Sequence, residues 1–341
     1  MKKNTLISRG GVLGFASALA LVLSSCTSTP DPVTPQTSDG AAESPAVSRT
    51  VSFVAAQMTA TYFAVMRCGA EAAAAEYGVD LDWQGDADWD LATQTPLINA
   101  AVQSQPGGMV LVPTDPVGLI QTVENIVGSG IPVITVDGSL SEPTEVQNIR
   151  TDNISAGSLA ADALARSIGE TGTVLVIASA PGIAANAERV DGFADRMAEA
   201  YPNVTVLPTE YSGADQSQAS QIAAAALTSP DLKGIYTTLA PASAGAAAAI
   251  QAANKVGEVK LVAYDADPSQ VEDLKNGIYE ALVAQDPYGL GYDSVSRIAR
   301  IIDGDLNASD LDYQEYVTAY IIDRNNADDE ETLRYIYNPT C

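Results

Sequence analysis

The chain has 341 residues, with 43 acidic side chains against 17 basic ones and no histidine. That length suits two domains better than one core, and so acidic a chain repels phosphate backbones and anionic head groups, which sets nucleic acid aside as a partner. Without histidine, Ser-His-Asp and Cys-His catalysis and the HExxH zinc site are excluded, and no P-loop motif is present, so an enzyme would have to work with carboxylates, Lys or Tyr.

The first residues carry Lys2, Lys3 and Arg9, followed by an apolar run from Gly11 to Leu23 and then Ser24-Ser25-Cys26. A basic start, a short apolar stretch and small residues before a cut describe an export signal, and the run is too short for an ordinary spanning helix. The ending Leu23-Ser24-Ser25-Cys26 resembles a bacterial lipobox, which implies cleavage after residue 25 and acylation of Cys26. Residues 26–48 are rich in Ser, Thr, Pro, Asp and Ala and read as a flexible tether. The expected placement is outside the cytoplasmic membrane, held to it by lipid alone.

From Arg49 the pattern alternates. Val51–Ala56 reads as a strand and Phe63–Tyr77 as an alanine-rich helix; Val79–Trp83, Leu91–Val102, Met109–Pro113, Val117–Val127 and Pro132–Asp137 continue the rhythm. Val146–Thr151 reads as a crossing strand. The rhythm then restarts with Ile154–Ile168, Thr173–Ala178, Ala185–Ala200, Val204–Pro208, Ser217–Leu227, Gly234–Leu239, Ser243–Val256 and Lys260–Asp265. A short helix Ser269–Asn276, a strand Tyr279–Gln285 and a helix Gly289–Ile302 follow, and Tyr316–Asp323 and Leu333–Tyr337 are expected as extended segments. Strands alternating with helices of this length mean βαβ units and parallel sheets. The fold class is α/β, one doubly wound, Rossmann-like architecture executed twice.

Two of these strands end alike. Pro-Val-Ile-Thr-Val runs into Asp137, and Lys-Leu-Val-Ala-Tyr runs into Asp265. Ligands of open α/β sheets bind beyond the carboxyl ends of strands, so two matched aspartates, one per half, point to contacts across a cleft. Each alone could equally cap the next helix.

From Arg49 to about Asp323 the chain resembles the type I solute-binding proteins of bacterial ABC importers, in their ribose- and galactose-binding branch. The resemblance is carried by Thr61-Tyr62-Phe63-Ala64-Val65-Met66, Val112-Pro113-Thr114-Asp115, Gly130–Asp137, Thr151-Asp152-Asn153 with Ala156-Gly157, Ala187–Phe193, Tyr264-Asp265 with Pro268, and Val283–Tyr288. It implies two lobes joined by a three-segment hinge: residues 49–150 with 286–315, and residues 151–285 with 316–330. Residues 331–341 are expected to dock on the N-terminal lobe. It further implies that Tyr62 and Phe63 stack on a sugar ring, that Asp137 and Asp265 accept from its hydroxyls, that Arg189 donates, and that Gln285 contacts the ligand at the hinge, where Asp152 also lies. Trp89 is a further candidate stacking surface, whereas Trp83 reads as core. Gly138 stands where the ribose binder has arginine, Leu239-Ala240 where an Asn-Asp pair is usual, and Ala60 where asparagine is frequent. These departures argue against ribose itself.

With Cys26 assigned to the signal, Cys68 and Cys341 remain, and an exported protein favours their pairing. Closing so long a loop would stabilise by about 4–5 kcal/mol in the chain-entropy model. The expected function is a monomeric importer receptor that takes a monosaccharide or polyol and delivers it to a permease, without metal or cofactor. A receptor for a sugar-like autoinducer or a chemosensory ligand shares the fold, and a glycosidase using Asp137 and Asp265 is the enzyme alternative.

Overall fold

The computed structural model describes residues 48–341. The export signal, the tether and Cys26 lie outside the described residues.

The central strands of this body are apolar on both faces, as parallel strands sandwiched between helices must be. The first sheet contains β1 (Thr50–Ala55), β2 (Asp80–Gly85), β3 (Gly108–Leu111), β4 (Val133–Val136), β5 (Gln147–Thr151) and, late in the chain, β12 (Gln314–Val317). Their order is β12-β5-β4-β3-β1-β2, all parallel. Alternate residues feed opposite layers. Val51, Phe53, Val110 and Ile134 pack with α1 (Thr61–Tyr77) and α9 (Pro287–Asp303). Val54, Met109, Leu111 and Val133 pack with α2 (Leu91–Gln103) and α3 (Ile120–Gly128).

The second sheet repeats the plan with β6 (Gly172–Ala178), β7 (Val204–Val206), β9 (Leu232–Thr237), β10 (Lys260–Tyr264), β11 (Ala281–Ala284) and β13 (Tyr320–Asp323), the last antiparallel to β11. A two-residue strand, β8 (Glu210–Tyr211), pairs with β6. Val174, Val176, Val262 and Val283 face α4 (Asn153–Ser167) and α5 (Ala184–Ala200). Leu175, Ile177, Leu261 and Leu282 face α6 (Gln216–Ala226) and α7 (Ala240–Ala252). The short helices α8 (Pro268–Lys275) and α10 (Glu330–Leu333) complete the chain.

The chain passes between the sheets three times: after β5, after β11, and between β12 and β13. The stretch Tyr316–Asp323, expected as one extended segment, is two strands in different sheets, so the last crossing falls at Thr318-Ala319. Alternation alone cannot show which sheet a strand joins. The expectation that Leu333–Tyr337 is extended is corrected: Leu333 ends α10 and the following residues turn. That segment does not simply dock on the N-terminal lobe either. Tyr337 belongs to the core of the second sheet and also lies edge-on to Tyr62 of α1, and Cys341 is bonded to Cys68 on α1 with 5.4 Å between the Cα atoms.

Candidate functional site

The carboxyl ends of both sheets face one cavity of about 310 Å³, within the usual range for small-molecule sites. Every residue expected to touch ligand, namely Tyr62, Phe63, Trp89, Asp137, Arg189, Asp265 and Gln285, lines it.

Asp137 follows β4 and Asp265 follows β10. Side chains of the protein hold Oδ1 of each carboxylate. The Tyr62 hydroxyl donates to Asp137 Oδ1 at 2.8 Å. Gln285 Nε2 and the Tyr337 hydroxyl donate to Asp265 Oδ1 at 3.1 and 3.2 Å. The backbone N–H of Ala240 lies 3.3 Å from Asp265 Oδ2. Burial in the cleft wall pushes the Asp137 carboxyl up to about 6; the Tyr62 hydroxyl and the Arg189 charge pull it back, and Asp265 adds to the rise.

Arg189 comes from α5 and is 7% exposed. Its Nε donates to Asn153 Oδ1 at 2.8 Å, its Nη1 to the Thr238 carbonyl at 2.9 Å, and its plane lies 3.7 Å from the centre of the Tyr264 ring. Nη2 makes only a long 3.5 Å contact with Gln285 Oε1. An arginine so braced is a rigid donor. Burial works against its charge, but Tyr264, Asp265 and Asp137 outweigh this and keep it fully charged.

Phe63 is 5% exposed and forms the floor, with Tyr62 edge-on to it at 5.2 Å. Trp89 stands at the rim, 45% exposed, 6.3 Å from Phe63 between ring centres, its Nε1 donating to the Thr114 carbonyl at 3.0 Å. Trp83, half-buried at the margin of the core, packs on Phe53, its partner in the β1–β2 register, at 4.2 Å.

At the crossings, the Asp152 carboxylate caps α4 through the Ser155 N–H at 2.9 Å, and its own N–H donates to the Val317 carbonyl at 2.9 Å. Thr151 Oγ1 donates to Gln285 Oε1 at 2.8 Å, tying the first crossing to the second. Asp152 thus bonds the first crossing to the third without lining the cavity, while Gln285 bonds the second crossing to the first and lines the cavity.

Among the residues that escaped the sequence reading, three bear on the site. Arg150, on β5, lines the cavity and its Nη1 meets both carboxylate oxygens of Glu188 on α5, at 2.9 and 2.7 Å, so an ion pair joins the lobes across the cleft. Asn186 lines the cavity and accepts from Thr238 Oγ1 at 2.6 Å. Tyr337 lies beneath Asp265. A lone arginine ending a buried strand is the one sequence signal that could have found the first. Gly138 has its own reason: a Cβ there would stand 2.9 Å from the Pro113 carbonyl oxygen. Among the described residues no cluster of side chains could hold a metal ion, and no helix is long and apolar enough to cross a membrane.

A model of the periplasmic binding protein domain matches residues 51–306. The ribose import binding protein RbsB of Salmonella typhimurium is 26% identical over 260 residues, covering 75% of this chain and 86% of its own. An ABC transporter solute binding protein from Agrobacterium vitis, solved with alpha-D-tagatopyranose bound, matches with a TM-score of 0.79 at 30% identity, over 85% of this chain and 99% of that one. A carbohydrate transporter solute binding protein from Agrobacterium radiobacter, in complex with D-arabinose, matches with a TM-score of 0.77 at 25% identity, over 84% and 98%. The parallel-sheet lobes, the hinge and these relatives place the chain in the type I periplasmic binding protein family, among the substrate-binding proteins of sugar ABC transporters.

Proposed function

We propose that this protein captures a monosaccharide or polyol between its lobes outside the cytoplasmic membrane and presents it to the permease of an ABC importer. The observation that carries the reading is the pair of strand-ending aspartates. Each is anchored through Oδ1, by Tyr62 in one lobe and by Gln285 and Tyr337 in the other, and both line one cavity with Arg189. Carboxylates as acceptors, a guanidinium as donor and Phe63 and Trp89 as apolar faces suit a ring whose rim is hydroxyl and whose faces are C–H. Solved relatives that hold tagatose and arabinose support the ligand class.

Because the contacts come from both lobes, binding and closure are coupled. A glycosidase is disfavoured: its two carboxylates must keep a fixed separation, and these sit on lobes joined by three crossings. The chain acts as a monomer, bound to the membrane through lipid on Cys26. Thermal-shift and calorimetric titrations with D-tagatose, D-arabinose, D-allose, D-ribose and xylitol test the reading. Saturable one-to-one binding of at least one, without turnover of chromogenic glycosides, is expected; no binding to any sugar or polyol would overturn it.

A further inference from the structure

The last eight residues cross from one lobe to the other behind the cleft. Arg334 is ion-paired with Asp286 at the second crossing, and the Tyr335 ring is stacked on Tyr320 of β13 at 4.5 Å. Cys341 is bonded to Cys68 on α1, in the opposite lobe. Between these anchors Tyr337 turns inward and is 1% exposed. Its N–H donates to the Ala266 carbonyl at 3.0 Å, its hydroxyl donates to Asp265 Oδ1 at 3.2 Å, and that hydroxyl accepts from the Gln285 N–H at 3.1 Å. Its ring also lies edge-on to Tyr62, 5.7 Å away, and Tyr62 holds Asp137. One side chain from the chain end therefore touches the supports of both aspartates.

Little besides the disulfide holds the final four residues. They are exposed, and their hydrogen bonds stay within the segment, from Asn338 to Ile336 and from Thr340 to Asn338. A cavity of about 510 Å³ separates them from Val65 and Tyr288 beneath. Exposed and hydrogen-bonded only within the segment, this far end is tied to the body by the covalent link to α1.

We propose that this segment is a working strap of the binding site: Tyr337 is a positioning residue for Asp265 and Gln285, and the Cys68–Cys341 bond keeps it in place. The proposal rests on the sugar-binding reading for its affinity arm and on nothing but the fold for its second arm. A hydroxyl that fixes an acceptor oxygen lowers the cost of ordering that acceptor when ligand arrives.

The test compares the full oxidised chain with Tyr337→Phe, Tyr337→Leu and the double change Cys68→Ser/Cys341→Ser. Phe keeps the buried ring and removes only the hydroxyl, so a packing role predicts no change for Phe and a loss for Leu alone. The expected result is a Kd for the best-bound probe sugar roughly three- to tenfold higher in Tyr337→Phe, with the melting temperature of the free protein lowered because the buried Gln285 N–H loses its acceptor. The cysteine pair variant should show a similar loss, with little further loss on adding Tyr337→Phe. Wild-type affinity in both Tyr337→Phe and the cysteine variant would overturn the proposal. Should the wild type bind no probe sugar, the sugar-binding reading fails by itself. The strap is then judged by native-state hydrogen exchange at the Gln285 amide. Faster exchange in both variants supports it, and unchanged protection rejects it.

Discussion

Asp137 and Asp265 share a backbone conformation as well as a place. Both lie in the left-handed region, with φ of 65° and 73°, and each N–H donates to a carbonyl of the next strand, Ile149 at 3.0 Å and Val283 at 2.9 Å. That region costs a non-glycine residue about 1–2 kcal/mol, though aspartate tolerates it better than most. Two residues held there in matched positions mean that the strand-end turn, rather than the side chain, sets where each carboxylate stands. The cost is tolerated where the chain needs a carboxylate at the mouth of the sheet.

The raised Asp137 pKa makes folding pH-dependent. Its carboxyl goes from an ordinary value of 3.8 in the unfolded chain to about 6 when folded. The native state therefore holds a proton that the unfolded chain has released between those values, so stability falls as pH rises through that window. Asp137→Asn removes the ionisation. It should leave stability nearly unchanged below pH 3.8 and raise it at pH 7.5 by about 1–2 kcal/mol, after allowance for water in the open cleft. Thermal melts of the two proteins at several pH values check this; equal gains at every pH would contradict it.

The two aspartates should differ when truncated. Either alanine change weakens sugar binding by about 1–3 kcal/mol through lost hydrogen bonds. Asp265→Ala also leaves the Tyr337 hydroxyl and Gln285 Nε2 without their acceptor. Asp137→Ala strips only the Tyr62 hydroxyl. Asp265→Ala should therefore lower the stability of the free protein more, by about a further 1 kcal/mol. Calorimetric affinities and urea melts of the two variants decide.

The Arg150–Glu188 pair should act on residence time. Arg150 is nearly buried on β5 and Glu188 sits on the opposing lobe, so the pair is made only when the lobes meet. Glu188→Gln removes the counter-charge and leaves the guanidinium with a neutral partner. Breaking one side of a desolvated pair acts chiefly on dissociation. Stopped-flow release of bound sugar should be faster by roughly five- to thirtyfold, an effect of about 1–2 kcal/mol, with association altered far less.

Much of this was legible because the same pattern is written twice. Parallel strands flanked by helices announced the two lobes, and Asp137 and Asp265 stood out because their strands end alike. What stayed hidden had no local signal. The division of Tyr316–Asp323 between two sheets depends on partners far away in the chain, β5 and β11. Tyr337 reads as one more aromatic near the C-terminus, and only the disulfide and the turn after α10 carry it beneath Asp265. Arg150 faces the cavity because β5 is the last strand before the first crossing, which is a property of the topology.

The helix that carries Arg189 offers a last test. α4 and α5 touch through glycines: a Cβ on Gly157 would stand 2.2 Å from the Arg189 carbonyl oxygen, and one on Gly192 would stand 2.1 Å from that of Ile154. Backbone cannot yield as a side-chain end can, so Gly157→Ala must push α5 outward. Overpacking of this kind costs about 1–3 kcal/mol, and here the displaced residue is the arginine that lines the cleft. Gly157→Ala should therefore lower both melting temperature and sugar affinity. Gly128→Ala, at the end of α3 with nothing within 4 Å of the new Cβ, is the control. It should be neutral or stabilising by up to about 1 kcal/mol, because alanine loses less conformational freedom in a helix than glycine does. If Gly157→Ala lost stability and kept its affinity, Arg189 would not be a ligand donor.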